Sequence, residues 1–284
     1  MKMFGIKIHI HPLFLAVMAL AVYGGFAVDL SLWFLVVILH EIGHIVAARR
    51  YGYVVEGVEL LPFGGVARMA ASTLGFQVRH ETVIALCGPL VNLILALVTA
   101  MLHITGLVGD RVAADFLMIN GMIALFNLLP ALPLDGGRIA RAGLAMSLGY
   151  KHATRVVTAM SFFLSMALML IGALALVLGY TDAGLLALGA FLLFSAYTLS
   201  RQAKYDTLRF LDAKRLENSR IQPVRTVAVL PTASIGEIAG SFAPGHYHLI
   251  YITEKQTMLE EQAVLRAIFD GGMWREPISS LLST

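Results

Sequence analysis

The sequence predicts an α-helical polytopic membrane protein with six transmembrane helices, a small membrane-associated β-ribbon and a small α/β domain at its C-terminal end. Three observations carry this. Of 284 residues, 58% are hydrophobic and 14% charged, against about 45–50% and about 25% in an average soluble domain. Apolar runs of about 20 residues, the length that crosses a bilayer, recur along the first 200 positions. Charge is also uneven: residues 1–200 hold 20 Lys, Arg, Asp and Glu, and the last 84 residues hold 19. The chain therefore divides into a membrane body over 1–200, a charged linker helix over 201–220 and a soluble domain over 221–284.

This composition excludes a disordered chain, a coiled coil and an ordinary cytosolic enzyme. A net charge of +3, dispersed along the chain, excludes a nucleic-acid-binding surface. The lone cysteine, Cys87, has no internal disulfide partner and reads as core filler. The basic start and first apolar run lack a clear small-x-small cleavage site and read as a retained span.

The six candidate spans are 10–28, 30–48, 82–104, 112–131, 156–178 and 183–200. The first two form a tight hairpin with its turn near Asp29. Lys2 and Lys7 precede span 1, and Arg49, Arg50, Arg68 and Arg79 lie between spans 2 and 3. Arg138, Arg141, Lys151 and Arg155 lie between spans 4 and 5, and Arg201 and Lys204 follow span 6. The alternate loops hold only Arg111. All basic loops share one side if both termini are cytoplasmic, as the positive-inside rule requires. Between spans 2 and 3, Val54 to Leu60 alternates and Leu61-Pro62-Phe63-Gly64-Gly65-Val66 follows. This pattern predicts a β-ribbon or hairpin near the membrane surface.

The main chemical signal is His40-Glu41-Ile42-Gly43-His44 inside the apolar helix of span 2. Residues i and i+4 share a helix face, so both imidazoles reach one metal ion. Glu41 follows the first histidine, where its carboxylate can act on an attacking water. Ionisable residues at membrane depth are costly and point to function; a buried His/Glu cluster that only stabilises packing is the competing reading. A catalytic zinc site usually has three protein ligands. Asp135, in Asn127 to Gly137 after span 4, is the best third ligand. Spans 2 and 4 run the same way, so His40, His44 and Asp135 fall in one leaflet. Two prolines end span 4, and Gly136 and Gly137 let the backbone bend around the carboxylate. A turn or cap aspartate is the alternative.

With both motifs in order, spacing and depth, residues 1–200 resemble the site-2 protease family of intramembrane zinc metalloproteases. Leu61-Pro62-Phe63-Gly64-Gly65 and Gly88-Pro89-Leu90 look like further landmarks of that family. With Lys7 to Pro12 and Asn127 to Gly137, they are most similar to its sporulation branch, whose members mature a sigma-factor precursor. The resemblance implies that His40, His44 and Asp135 ligate Zn2+ and that Glu41 is the catalytic acid/base. It implies regulated intramembrane proteolysis of a membrane-associated protein in a bacterial cell membrane, under membrane inhibitor proteins. A relative acting on an anti-sigma factor or signal-peptide remnant, and a transporter or channel with a regulatory tail, are the alternatives. The first is weakened by the lack of an evident PDZ insertion, the second by HExxH and Asp135 in one leaflet.

Asn92 and Asn127 are amides in apolar helices, candidates for steadying substrate or the oxyanion, or for interhelical hydrogen bonds. Phe63 and Gly64, at the ribbon's turn, are candidates for substrate contact by strand addition. His9 and His11 are expected at the interface, and Arg138 at the headgroups. In the tail, a strand at 224–229, a helix at 235–242, strands at 247–253 and 257–259 and a helix at 261–269 precede a closing segment from Pro277. His246 and His248 are read as strand residues. This order resembles a single CBS motif. The resemblance implies pairing into a homo-oligomer and a possible ATP site, with no residue assigned to it.

Overall fold

The computed structural model describes residues 2–3, 6–10, 22–61, 64–69, 77–180, 183–217 and 221–282. Most of the first expected span, 11–21, lies outside these residues, as do His11, Phe63 and the last three positions of the expected linker. Two strands, β1 (Lys2–Met3) and β2 (Ile6–Ile10), precede the helix α1 (Ala27–Arg50). Then come β3 (Val55–Leu61), β4 (Gly64–Met69), α2 (Val78–Ile104), α3 (Asp110–Asn127), α4 (Asp135–Leu148), α5 (Tyr150–Val177) and α6 (Gly184–Arg215). The tail holds β5 (Val224–Val229), α7 (Ile235–Gly240), β6 (Tyr247–Ile252), β7 (Thr257–Glu260), α8 (Glu261–Phe269) and a 3-10 turn at Ile278–Leu282.

Two compact units result. The first contains α1, the first sheet, most of α2, all of α3 and the start of α4, Leu134–Ile139; the second contains Pro130–Pro133 and the chain from Ala140 onward. Four helices, over Leu30–Arg50, Val78–Ile104, Tyr150–Val177 and Gly184–Arg215, are long and apolar enough to cross a membrane. α3 is shorter, 18 residues, and its first turns carry Asp110, Arg111 and Asp115, so it does not meet that measure. The outward faces are apolar, with Phe163, Leu170 and Phe194 at least 70% exposed. Lipid, not water, is the solvent that makes such faces favourable.

Several expectations shift. The turn before α1 falls at Gly24-Gly25, where Gly25 has φ +79°, and α1 runs straight through Asp29. Glycine supplies the positive φ that a β-carbon would resist. The ribbon is present as the antiparallel pair β3–β4, from Val55↔Met69 to Leu61↔Gly64. It is part of a four-stranded sheet ordered β1-β2-β3-β4, with β2 parallel to β3. Ile6 to Ile10 alternates apolar and polar, the period of a half-buried strand, and is recruited by β3.

In the second unit, α5 and α6 pack closely through small residues. A β-carbon on Gly172 would come within 2.7 Å of the Leu186 nitrogen, and one on Gly189 within 2.7 Å of Met169 Cγ. Such residues let membrane helices approach where no hydrophobic effect drives them together. The expected linker is no separate element: α6 is one 32-residue helix, and its Phe210 and Leu211 lie in the tail's core with Ile235, Phe242, Ile250, Ile252 and Leu265. The tail sheet is ordered β5-β6-β7, with β5 parallel and β7 antiparallel to β6. Alternate residues of β6, His248, Ile250 and Ile252, are fully buried. Ser234 and Glu237 form a capping box on α7, and these hydrogen bonds from Ser234 hold the Glu237 carboxyl below its usual value.

Candidate active site

Each helix of the first unit brings one part of the site. His40 and His44 lie one turn apart on α1, and Asp135 opens α4. All three are buried, at 3%, 4% and 6% exposure. Two close approaches let α1 and α2 meet here. A β-carbon on Gly43 would stand 2.7 Å from the Cys87 carbonyl oxygen, and one on Gly88 would overlap the His44 ring and come within 2.6 Å of His40 Nε2. Cys87 itself packs on the apolar cluster of Ile45, Ala48 and Ile84.

The expected bend around Asp135 is replaced by a helix start. Asp135 is the first residue of α4, and a β-carbon on Gly136 would overlap the Leu128 carbonyl. The glycine serves a close approach, so α4 begins against the chain that leaves α3.

Three ligand atoms converge. His40 Nε2 and His44 Nε2 are 3.1 Å apart, and each lies 3.2 Å from Asp135 Oδ2. Around a tetrahedral zinc ion with bonds of about 2.0–2.1 Å, ligand atoms stand about 3.3 Å from one another. The triangle fits that ion. The hydrogen bonds behind it also fit. His40 Nδ1 donates to Asn92 Oδ1 at 2.5 Å, and His44 Nδ1 donates to the Ile84 carbonyl at 2.7 Å. With Nδ1 donating, a metal ion can be met only by Nε2, and both Nε2 atoms face the same space as the Asp135 carboxylate. Three lone pairs facing one another without a cation would repel, which is the arrangement metal-ligating histidines adopt with their second nitrogen anchored.

Glu41 is half-buried and close enough to feel the charges of His44, His40, Asp135 and Arg138. Asn92 is fully buried. Its Oδ1 accepts from His40 and its Nδ2 donates to Asn120 Oδ1 at 3.0 Å. Both ends of this amide are thus committed to protein. Asn127 is half-buried and donates from Nδ2 to the Ile123 carbonyl one turn back. It is not among the residues gathered around the ligand atoms. Gly64 is the first residue of β4, paired with Leu61.

Arg138 departs from its expected place at the headgroups. Its guanidinium lies 4.0 Å from Asp135 Oδ1 and 4.0 Å from Glu81 Oε1, so it faces the site. One helical turn separates Arg138 from Asp135, which brings the two side chains to one face. Glu81, with 1% exposure, and Asn120 went unnoticed in the sequence. An acid or amide inside an apolar run was the available signal in both cases.

Comparison with known proteins agrees with this geometry. The profile of peptidase family M50 matches residues 30–109 and 110–172. A zinc metalloprotease of Methanocaldococcus jannaschii is 31% identical over 83% of this chain and 69% of its own length. Stage IV sporulation protein FB of Bacillus subtilis is 28% identical over 93% of this chain and 92% of its own. The solved site-2 protease from Methanocaldococcus jannaschii superposes with a TM-score of 0.56 at 31% identity, over 70% of this chain and 93% of that one. These matches leave no place for the transporter reading. The chain belongs to peptidase family M50 and is a zinc metalloendopeptidase of the intramembrane, site-2 type.

Proposed function

We propose that this enzyme cleaves a membrane-associated regulatory protein near the cytoplasmic face of a bacterial membrane, with His40, His44 and Asp135 as zinc ligands and Glu41 as the catalytic acid/base. The observation that carries the reading is the triangle of Nε2, Nε2 and Oδ2 atoms at 3.1–3.2 Å, with Glu41 beside it on the same helix. Zinc, when bound, polarises the scissile carbonyl and brings the pKa of water to about 7. Glu41 takes the proton of the attacking water on its carboxylate and later gives it to the leaving amine nitrogen. Asn92 holds His40, and Arg138 neutralises part of the carboxylate charge around Asp135.

The four apolar helices, α3 and the apolar run over 10–28 make a six-span body with both termini cytoplasmic, the arrangement that places every basic loop on one side. β4 is an edge of the first sheet, so an unwound substrate segment, guided by Phe63 and Gly64, adds to it by strand pairing. A Pro insertion in the β3–β4 ribbon interrupts its pairing and should lower turnover without changing bound zinc; unchanged turnover refutes the strand-addition step. The tail acts as a CBS-like regulatory module that pairs between copies and takes ATP, supported by its strand-helix-strand-strand-helix order. The sharpest substrate is a sigma-factor precursor, with membrane inhibitor proteins holding the enzyme inactive. The similarity to a sporulation protein over nearly its whole length supports it. Cleavage of an anti-sigma factor or signal-peptide remnant is the second reading.

The test is co-expression with candidate precursors, comparing the parent with Glu41→Gln. The parent should process the precursor, and the variant should keep its zinc while processing stops. A parent that binds no zinc, or a variant that still processes, overturns the site assignment.

A further inference from the structure

Asn120 of α3 touches neither His44 nor Asp135, yet it ends a buried hydrogen-bond chain that begins at His40. An asparagine amide has one accepting and one donating end, and only its partners determine which way it points. Here the chain has a fixed anchor. Asn120 Nδ2 donates to the Phe116 carbonyl at 2.9 Å. A carbonyl only accepts, so the amide cannot turn round. Its Oδ1 must then face Asn92, whose Nδ2 donates to it at 3.0 Å. That turns Asn92 Oδ1 towards His40, 2.5 Å from Nδ1. Nδ1 must therefore carry a proton, and in the neutral, metal-binding form of the ring it is Nε2 that keeps the lone pair facing His44 and Asp135. Asn92 and Asn120 are both 0% exposed, so bulk water cannot repair a reversed amide.

We infer that Asn120 is a positioning residue that sets the metal-binding tautomer of His40 through Asn92. Without it, Asn92 has two orientations. One of them presents an N–H to His40 Nδ1 and drives the ring proton to Nε2, where it blocks ligation. The inference rests on the reading of His40 as a zinc ligand through Nε2. It adds a residue from a third helix, one that neither touches the ligand atoms nor stands next to a motif.

The test is a double-mutant cycle read as zinc affinity, by competition with a chromophoric chelator on the purified full chain in detergent. His40→Ala comes first, and a variant with parental affinity would refute the site reading itself. Given that loss, Asn120→Ala should weaken zinc binding about 10–100-fold, the range for residues that orient a ligand. Asn92→Asp supplies only accepting oxygens, so in either orientation it holds the Nδ1 proton of His40. In that background Asn120→Ala should cost nothing or restore affinity, because the orienting function is no longer needed. Equal losses in both backgrounds would assign Asn120 a packing role and overturn the inference, as would parental affinity in the single variant. Should Asn120→Ala alone fail to fold, the double variant decides: folded with affinity near that of Asn92→Asp supports the inference, and unfolded or weak overturns it.

Discussion

Gly88 of α2 lies so close to His44 of α1 that no side chain fits between them. An added β-carbon would overlap the ring and come within 2.6 Å of His40 Nε2. The glycine shapes the ligand group without contributing an atom to it. Gly88→Ala should therefore push one imidazole out of the triangle. The expected result is purified protein with sub-stoichiometric zinc by elemental analysis and background proteolysis, at near-parental melting temperature. Full zinc content would show that the rings have room to move.

The proposed ligands should rank above their supports. Asp135→Asn removes the only negative charge in the triangle. It should lower zinc affinity by more than the roughly 10–100-fold typical of orienting residues. In the parent, a strong chelator should stop processing and added zinc should restore it. Chelator-competition titration, followed by the processing assay, checks both.

Glu261 anchors α6 to the tail through a buried charge pair. Its Oε1 lies 3.2 Å from Lys214 Nζ, which also donates to the His246 carbonyl at 2.5 Å. Removing one partner strands the other charge in the core. Lys214→Met should destabilise the tail by about 3–5 kcal/mol. Arg209→Ala, which breaks an exposed pair with Asp206, should cost under about 1 kcal/mol. Hydrogen exchange of β6 amides in the full chain separates the two.

Tail stability should also depend on pH. His248 is buried on β6, accepts the Ala243 N–H at Nε2 and donates from Nδ1 to Glu261 Oε2 at 2.7 Å. Burial pushes its pKa down, opposed by Glu261. The folded state then favours neutral imidazole, and the unfolded chain binds more protons. The associated stability is present above the unfolded value of about 6.5 and is lost as pH falls below it. Protection of β6 amides, corrected for intrinsic exchange rates, should be higher at pH 7.5 than at pH 5.5, and His248→Phe should reduce that difference.

Periodicity and composition alone located most of the elements. The apolar runs placed α1, α2, α5 and the membrane part of α6. The alternation of Tyr247 to Ile252 and the turn residues around it placed the tail strands to within one or two positions. HExxH on an apolar helix pointed to His40 and His44, and the shared direction of two spans pointed to Asp135, the three residues the structure gathers into one group that could hold a metal ion. Those are local or additive properties, which a chain carries whatever it packs against. Contacts at long range were a different matter. The helix at Asp135–Leu148 was missed because its charged, glycine-rich start reads as a loop until Gly136 abuts Leu128. The strand at Ile6–Ile10 was hidden by the apolar run behind it and appears only when β3 pairs with it. Asn92 and His40 were each recognised, but their pairing was not, because a hydrogen bond between residues 52 positions apart leaves no trace in spacing. The sequence determined which residue types could hold zinc in a membrane. Tertiary packing decided which nitrogen of each histidine faces it, since that depends on buried acceptors contributed by other helices.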